Sequence, residues 1–303
     1  MAKQQPKAIQ KGDKVAIVCP AGQMEEMRVQ NCVQQLNALG LEVAVGKTVG
    51  TKDSYFAGTD KERLDDLQQA LDDKNIRAVI CGRGGYGTSR IIGQLDLSHF
   101  QRHPKWIVGY SDITLLHTHI NRHTDIATIH GPMAGAFDSY PDSEYPTTLF
   151  PALTGERLKY TSVPHALNRI GKAEGELVGG NLCLLAHSIG SASEPELKEK
   201  ILFIEDVGEY IYSADRMFLQ LKRAGWLDHI KGLVVGTFSD MKDTTLPFGK
   251  DIYTVINEHV EEYGFPVAFD FPVGHTERNV ALKVGVHHKL NVKEKDVVLK
   301  EKK

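Results

Sequence analysis

Trp106-Ile107-Val108-Gly109-Tyr110-Ser111-Asp112-Ile113-Thr114 changes its hydrophobic period partway along. Trp106 to Val108 is an apolar run of strand length that ends on Gly109, whereas Ile113, Leu116 and Ile120 recur at three- and four-residue spacing as one helical face. Ser111 therefore falls on a strand-to-helix corner. Such a corner lifts a hydroxyl off the C-terminal edge of a sheet and aims the following backbone N–H groups at whatever the hydroxyl attacks. The competing reading is an N-cap, in which the hydroxyl satisfies an orphan N–H of the first helical turn. The strict G-x-S-x-G elbow is broken, since G-Y-S-D-I runs into Thr114, and the stretch by itself leaves nucleophile and cap both open.

Working outward, the same alternation repeats. Val15 to Cys19 reads as a strand broken by Pro20-Ala21-Gly22, and Val29, Val33, Leu36 and Leu39 follow as a helical stripe stopped by Gly40. Leu41 to Val45 is a second strand, Asp60 to Asp73 a helix, and Ala78 to Cys81 a third strand that runs into Gly82-Arg83-Gly84-Gly85-Tyr86-Gly87. A short helix from Thr88 precedes the Trp106 strand, and Ile126 to Ile129 follows the Ser111 helix. Strands alternating with helices predict a parallel α/β sheet covered on both faces, with its ligand site beyond the C-terminal strand ends. Pro20, the glycine-rich turn, Ser111 and His130 all fall at that edge.

Residues from about Asp138 to Gly171 are richer in Pro, Ser and Tyr with weak periodicity, so we expect a first domain over 1–140, a connection over 141–171 and a mixed α/β domain over 172–303. The second half has strands at Ile201 to Ile204, Leu233 to Val235 and Val267 to Phe269, a Phe271-Pro272-Val273-Gly274-His275 loop, and closing strands near 281–286 and 297–299. At 303 residues the chain is long enough for two cores. A net charge of -3 gives no reason to expect nucleic acid or an anionic membrane as partner. No signal segment or spanning run is present, and the four cysteines form no C-x-x-C, which together predict a cytoplasmic protein with reduced, inert thiols.

The glycine-rich turn meets the letter of G-x-G-x-x-G, but it follows the third strand and opens only a short helix, which argues against a dinucleotide site. We expect the N–H of Gly85 to join that of Asp112 in an oxyanion hole, with Arg83 and Tyr86 facing a substrate carboxylate or peptide. Glu205 ends an apolar strand, so its carboxylate emerges at a sheet edge and needs a partner. His275 lies on a loop just past another strand. Singly each has an ordinary explanation, as helix cap or surface histidine; together Ser111, Glu205 and His275 give a chain order in which nucleophile, orienting acid and base recur. His117, His119 and His123 invite a metal reading, but no Glu follows His119 as H-E-x-x-H requires, and we read the run as a solvated helix face with no metal or cofactor expected.

Taken in order, Gly12 to Gly22 (G-D-K-V-A-I-V-C-P-A-G), C-G-R-G-G-Y-G, G-Y-S-D-I-T, H-G-P-M, G-E-L-V-G-G-N, F-I-E-D-V-G-E, D-R-M-F-L-Q-L and F-P-V-G-H-T make the chain resemble the LD-carboxypeptidases over nearly its whole length. The resemblance implies a flavodoxin-like N-terminal domain, a smaller swivelling-type second domain and a homodimer. It also implies a Ser111–His275–Glu205 triad that removes the terminal D-alanine of murein tetrapeptides during cell-wall recycling. A related branch cleaves acyl-sulfamoyl-adenylate antibiotics with the same triad, and a non-catalytic nucleotide- or sugar-binding α/β protein is the other alternative.

Overall fold

The computed structural model describes residues 3–302. Its strands are β1 (Lys14–Val18), β2 (Glu42–Val45), β3 (Ile76–Cys81), β4 (Trp106–Gly109), β5 (Thr128–His130), β6 (Lys159–Ser162), β7 (Gly171–Asn181), β8 (Ile201–Val207), β9 (Gly232–Ser239), β10 (Val267–Ala268), β11 (Leu282–Val284), β12 (His287–Val292) and β13 (Val297–Glu301). The helices are α1 (Gln30–Ala38), α2 (Asp60–Asp72), α3 (Thr88–Ile91), α4 (Ser98–Arg102), α5 (Thr114–Thr124), α6 (Ala136–Ser139), α7 (Leu149–Leu153), α8 (Leu182–Ser188), α9 (Ile211–Arg223), α10 (Trp226–His229) and α11 (Ile252–Val260).

In the first sheet β2, β1, β3, β4 and β5 run parallel in that order, which is the flavodoxin-like arrangement. Alternate residues serve opposite faces. Val15, Ile17, Ala78 and Ile80 pack into the core on the α1 side, while Ala16, Val18, Val79 and Cys81 pack with Leu67, Leu71, Leu116 and Ile120 of α2 and α5. Helix α2 starts on a capping box between Thr59 and Glu62, and α5 ends on Asp125 in the left-handed conformation.

The second sheet has the order β10-β9-β8-β7-β12-β13-β6, parallel from β10 to β7 and antiparallel beyond. The two sheets do not divide at one point in the chain. Strand β6, from the segment read as a connection, forms an edge of the second sheet, and β11 returns to pair antiparallel with β5 of the first. The loop from β10 to β11 that carries His275 is thus anchored at one end in each sheet. Periodicity missed β6, β7 and β12: β6 is short and mostly polar, β7 carries glycine at Gly175, Gly179 and Gly180, and β12 opens on two histidines.

One expectation needs correcting. The His117-to-His123 run is not a solvated face: His117 and His119 are buried, and of the three histidines only His123 is exposed. Helix α5 is covered on its first-sheet side by apolar packing and on the other by β7 and α8. His119 Nδ1 bonds Ser193 Oγ at 2.9 Å and His123 Nε2 the Ala192 carbonyl at 3.0 Å. Polar residues line this face because it meets polar atoms of the second domain, a partner that helical periodicity cannot report.

Candidate active site

Ser111 stands at the C-terminal edge of β4. Its φ of +64° lies in the left-handed region, where a side chain costs ~1–3 kcal/mol unless its surroundings hold it. A 3-10 turn over Ser111–Ile113 intervenes before α5, and neither that turn nor α5 makes a side-chain cap bond. The hydroxyl is therefore not the cap that the sequence left open. Gly84 is what permits the corner: a Cβ there would lie 2.8 Å from Ser111 Cβ and 3.1 Å from its Oγ. The Asp112 side chain is buried and accepts a hydrogen bond from the Thr88 N–H at 2.8 Å, and burial pushes its carboxyl above the usual range.

Glu205 approaches from the second sheet and is fully buried. Opposite it the register slips: Ile204 pairs with Val235 but Asp206 with Phe238, so Gly236 and Thr237 together oppose Glu205. A bulge of this kind bends the strand and redirects a side chain. Glu205 also needs space, since a Cβ on Gly236 or on Gly274 (φ +141°) would come within 3.2 Å of its own Cβ. Its Oε2 lies 2.6 Å from His275 Nδ1, while Oε1 has no hydrogen-bond partner among the described residues. An Nδ1–H donated to this carboxylate leaves Nε2 as the nitrogen free to take a proton.

Burial disfavours a charged His275 ring, but the Glu205 charge and hydrogen bond, with Asp206 adding to them, outweigh it and raise the imidazole pKa above 6.5. The Tyr110 ring packs against the imidazole at 4.8 Å between centroids. Asp206 faces elsewhere: it accepts from Asn181 Nδ2 and the Val207 N–H at 2.8 Å each and from the Cys183 N–H at 3.0 Å. It thereby braces the start of α8, and burial with the neighbouring Glu205 charge pushes it up to about 7. The domains meet beside it, where the Asn181 N–H donates to Thr114 Oγ1 at 3.0 Å.

Ser111 and His275 line one cavity of about 250 Å³ together with Tyr110, Gly82 to Gly85, Arg28 and Tyr140. Arg83 lines it too, with Nη1 donating to the Gln23 carbonyl at 3.1 Å. Gly85 is at the wall with φ +107°, whereas Tyr86 is exposed outside that lining, its ring 6.0 Å from Phe56. A roomier groove of about 570 Å³ lies by Lys198, Lys200 and Glu196, but no serine and no carboxylate-paired histidine line it. Sequence reasoning missed Tyr110 as the wall of the imidazole, and Arg28 and Tyr140 as lining; the Tyr-rich composition near Tyr140 was the one available signal. Among the described residues no group of three or more His, Cys, Asp and Glu side chains is placed to hold a metal ion.

A flavodoxin-like sheet and a second mixed sheet, with a hydroxyl and a carboxylate-paired imidazole on one cavity, make this a two-domain α/β protein. The sequence pattern of the LD-carboxypeptidase N-terminal domain matches residues 15–131, and that of the C-terminal domain residues 174–290. The chain belongs to the LD-carboxypeptidase family. It is 38% identical to a probable murein peptide carboxypeptidase of Bacillus subtilis, covering 97% of this chain and 93% of that one. It is 30% identical to the murein tetrapeptide carboxypeptidase of Pseudomonas aeruginosa, covering 90% and 91%. The crystal structure of muramoyltetrapeptide carboxypeptidase from Oxalobacter formigenes superposes with a TM-score of 0.87 at 30% identity, over 96% of this chain and 99% of that one. A microcin C7 self immunity protein, solved with aspartyl sulfamoyl adenosine, shares the fold at a TM-score of 0.84 and 24% identity over 98% of each chain. No helix among the described residues is long and apolar enough to cross a membrane.

Proposed function

We propose that this peptidase is a serine LD-carboxypeptidase that removes the terminal D-alanine from murein tetrapeptides, acting as a cytoplasmic homodimer without a metal. The observation that carries the reading is the buried 2.6 Å His275–Glu205 pair on the cavity that Ser111 lines. Ser111 Oγ attacks the carbonyl of the L-configured third residue while His275 Nε2 takes its proton. The N–H groups of Gly85 and Asp112 receive the developing oxyanion. His275 then returns the proton to the D-alanine amine as that bond breaks, and water, deprotonated by the same imidazole, releases the acyl group from Ser111. Glu205 holds the tautomer and stabilises the imidazolium throughout. Arg83 offers a guanidinium to the free carboxylate of the departing residue, which an enzyme acting on chain ends must recognise, and Tyr86 flanks the peptide outside the cavity.

Mass analysis of purified protein incubated with free and disaccharide-linked tetrapeptides tests this. Loss of one alanine, unchanged in EDTA, is the expected product pattern. An intact tetrapeptide beside a cleaved acyl-sulfamoyl-adenylate overturns the substrate, and zinc-restored activity after EDTA overturns the serine mechanism.

A further inference from the structure

Arg63 is fully buried on α2 and faces no solvent that could hydrate it, so its charge has to be met inside the fold. Its guanidinium meets three separate backbone segments at the C-terminal edge of the first sheet. Nη1 donates to the Pro20 carbonyl at 2.7 Å and to the Gly87 carbonyl at 3.0 Å, and Nε to the Gly58 carbonyl at 3.3 Å. Nη2 bonds the Asp60 carboxylate, itself gripped by Arg90 Nε at 2.9 Å to each oxygen, and the guanidinium carbon stands 4.8 Å from the centre of the Phe56 ring.

The bond to Gly87 has a counterpart. The next N–H along the chain, that of Thr88, is donated to the Asp112 carboxylate at 2.8 Å. The Gly87 carbonyl and the Thr88 N–H belong to one peptide unit, which is therefore held by Arg63 on one side and by the residue after Ser111 on the other. The middle of the same turn is tied where the Gly22 N–H meets the Gly84 carbonyl at 3.1 Å, and its far end where the Gly82 N–H meets the Val18 carbonyl at 2.8 Å. Gly84, beside Ser111, shares its peptide unit with the Gly85 N–H that faces the reaction in the proposed mechanism, and that unit lies between the ties at Gly82 and Gly87.

We infer that Arg63 is a positioning residue for the reaction: its fork fixes the Gly82–Gly87 turn against the Ser111 corner and so sets the oxyanion hole. The inference rests on the serine mechanism above. A guanidinium suits the task because its planar donors reach several carbonyls at once, which an ammonium on a flexible stem does not reproduce.

Arg63→Lys keeps the charge, and Arg63→Gln removes the need to bury one, so the two variants risk misfolding for different reasons. Each is assayed well below its melting temperature for tetrapeptide turnover and for the rate of Ser111 labelling by a serine-directed phosphonate. Displacing the turn lowers kcat and the labelling rate together by about 10- to 100-fold, with KM nearly unchanged and the acid limb of the pH profile in place. A folded variant labelled at the wild-type rate overturns the inference, as does a rate loss accompanied by a shifted pH midpoint, which points to His275 instead. The labelling rate judges Arg63 whether or not the tetrapeptide is the substrate, so the two ideas fail separately.

Discussion

The proposed nucleophile and its proposed acid–base partners are mounted by opposite means. Ser111 is set by local backbone: a strand end, a left-handed residue and a 3-10 turn follow one another within the chain, with Gly84 close beneath. Glu205 and His275 are set from a distance: the carboxylate by a bulge in β9 and the imidazole by a loop with one foot in each sheet. The first arm is set mainly by residues adjoining it in sequence, and the second by two sheets. Damage to the first should show as lost chemistry at the hydroxyl, and damage to the second as a changed pH response.

The largest expected effect separates the hydroxyl from everything around it. Ser111→Ala should lower kcat by ~10⁶-fold with the fold intact, as removal of a triad serine does; measurable turnover within 100-fold of wild type would place the nucleophile elsewhere. Next, Glu205→Gln should cost ~10⁴-fold in kcat. In the proposed mechanism neutral imidazole is the base, so wild-type turnover should fall as pH drops through a midpoint above 6.5, and losing the Glu205 charge should move that midpoint down. The stability of the ion pair runs the other way: it is present in full below 6.5 and is lost as pH rises through the raised folded value. Parallel pH profiles of kcat and melting temperature check both signs.

Gly84→Ala probes the first arm alone, because the new methyl would press on Ser111 at 2.8 Å. A kcat loss of up to about 100-fold with an unmoved pH midpoint is expected, and a shifted midpoint would show that the arms are not independent. The smallest effect is at Asp206, whose carboxylate braces Asn181 and α8. Asp206→Asn should cost less than about tenfold in kcat, far below the Glu205 replacement. An inactive but folded Asp206→Asn beside an active Glu205→Gln would reverse the assignment of the orienting acid.

The parallel α/β first domain, the corner at Ser111 and the ordered Ser…Glu…His were legible from residue order, because they depend on period, on glycine stops and on position along the chain. The register slip that sets Gly236 and Thr237 against Glu205 left no mark in the alternation along β8. The His117–His123 face, the return of β11 to the first sheet and the reach of Arg63 across Pro20, Gly58 and Gly87 emerge only in the folded chain. Each depends on segments far apart in the chain, and hydrophobic period reports that a residue is covered without saying by what.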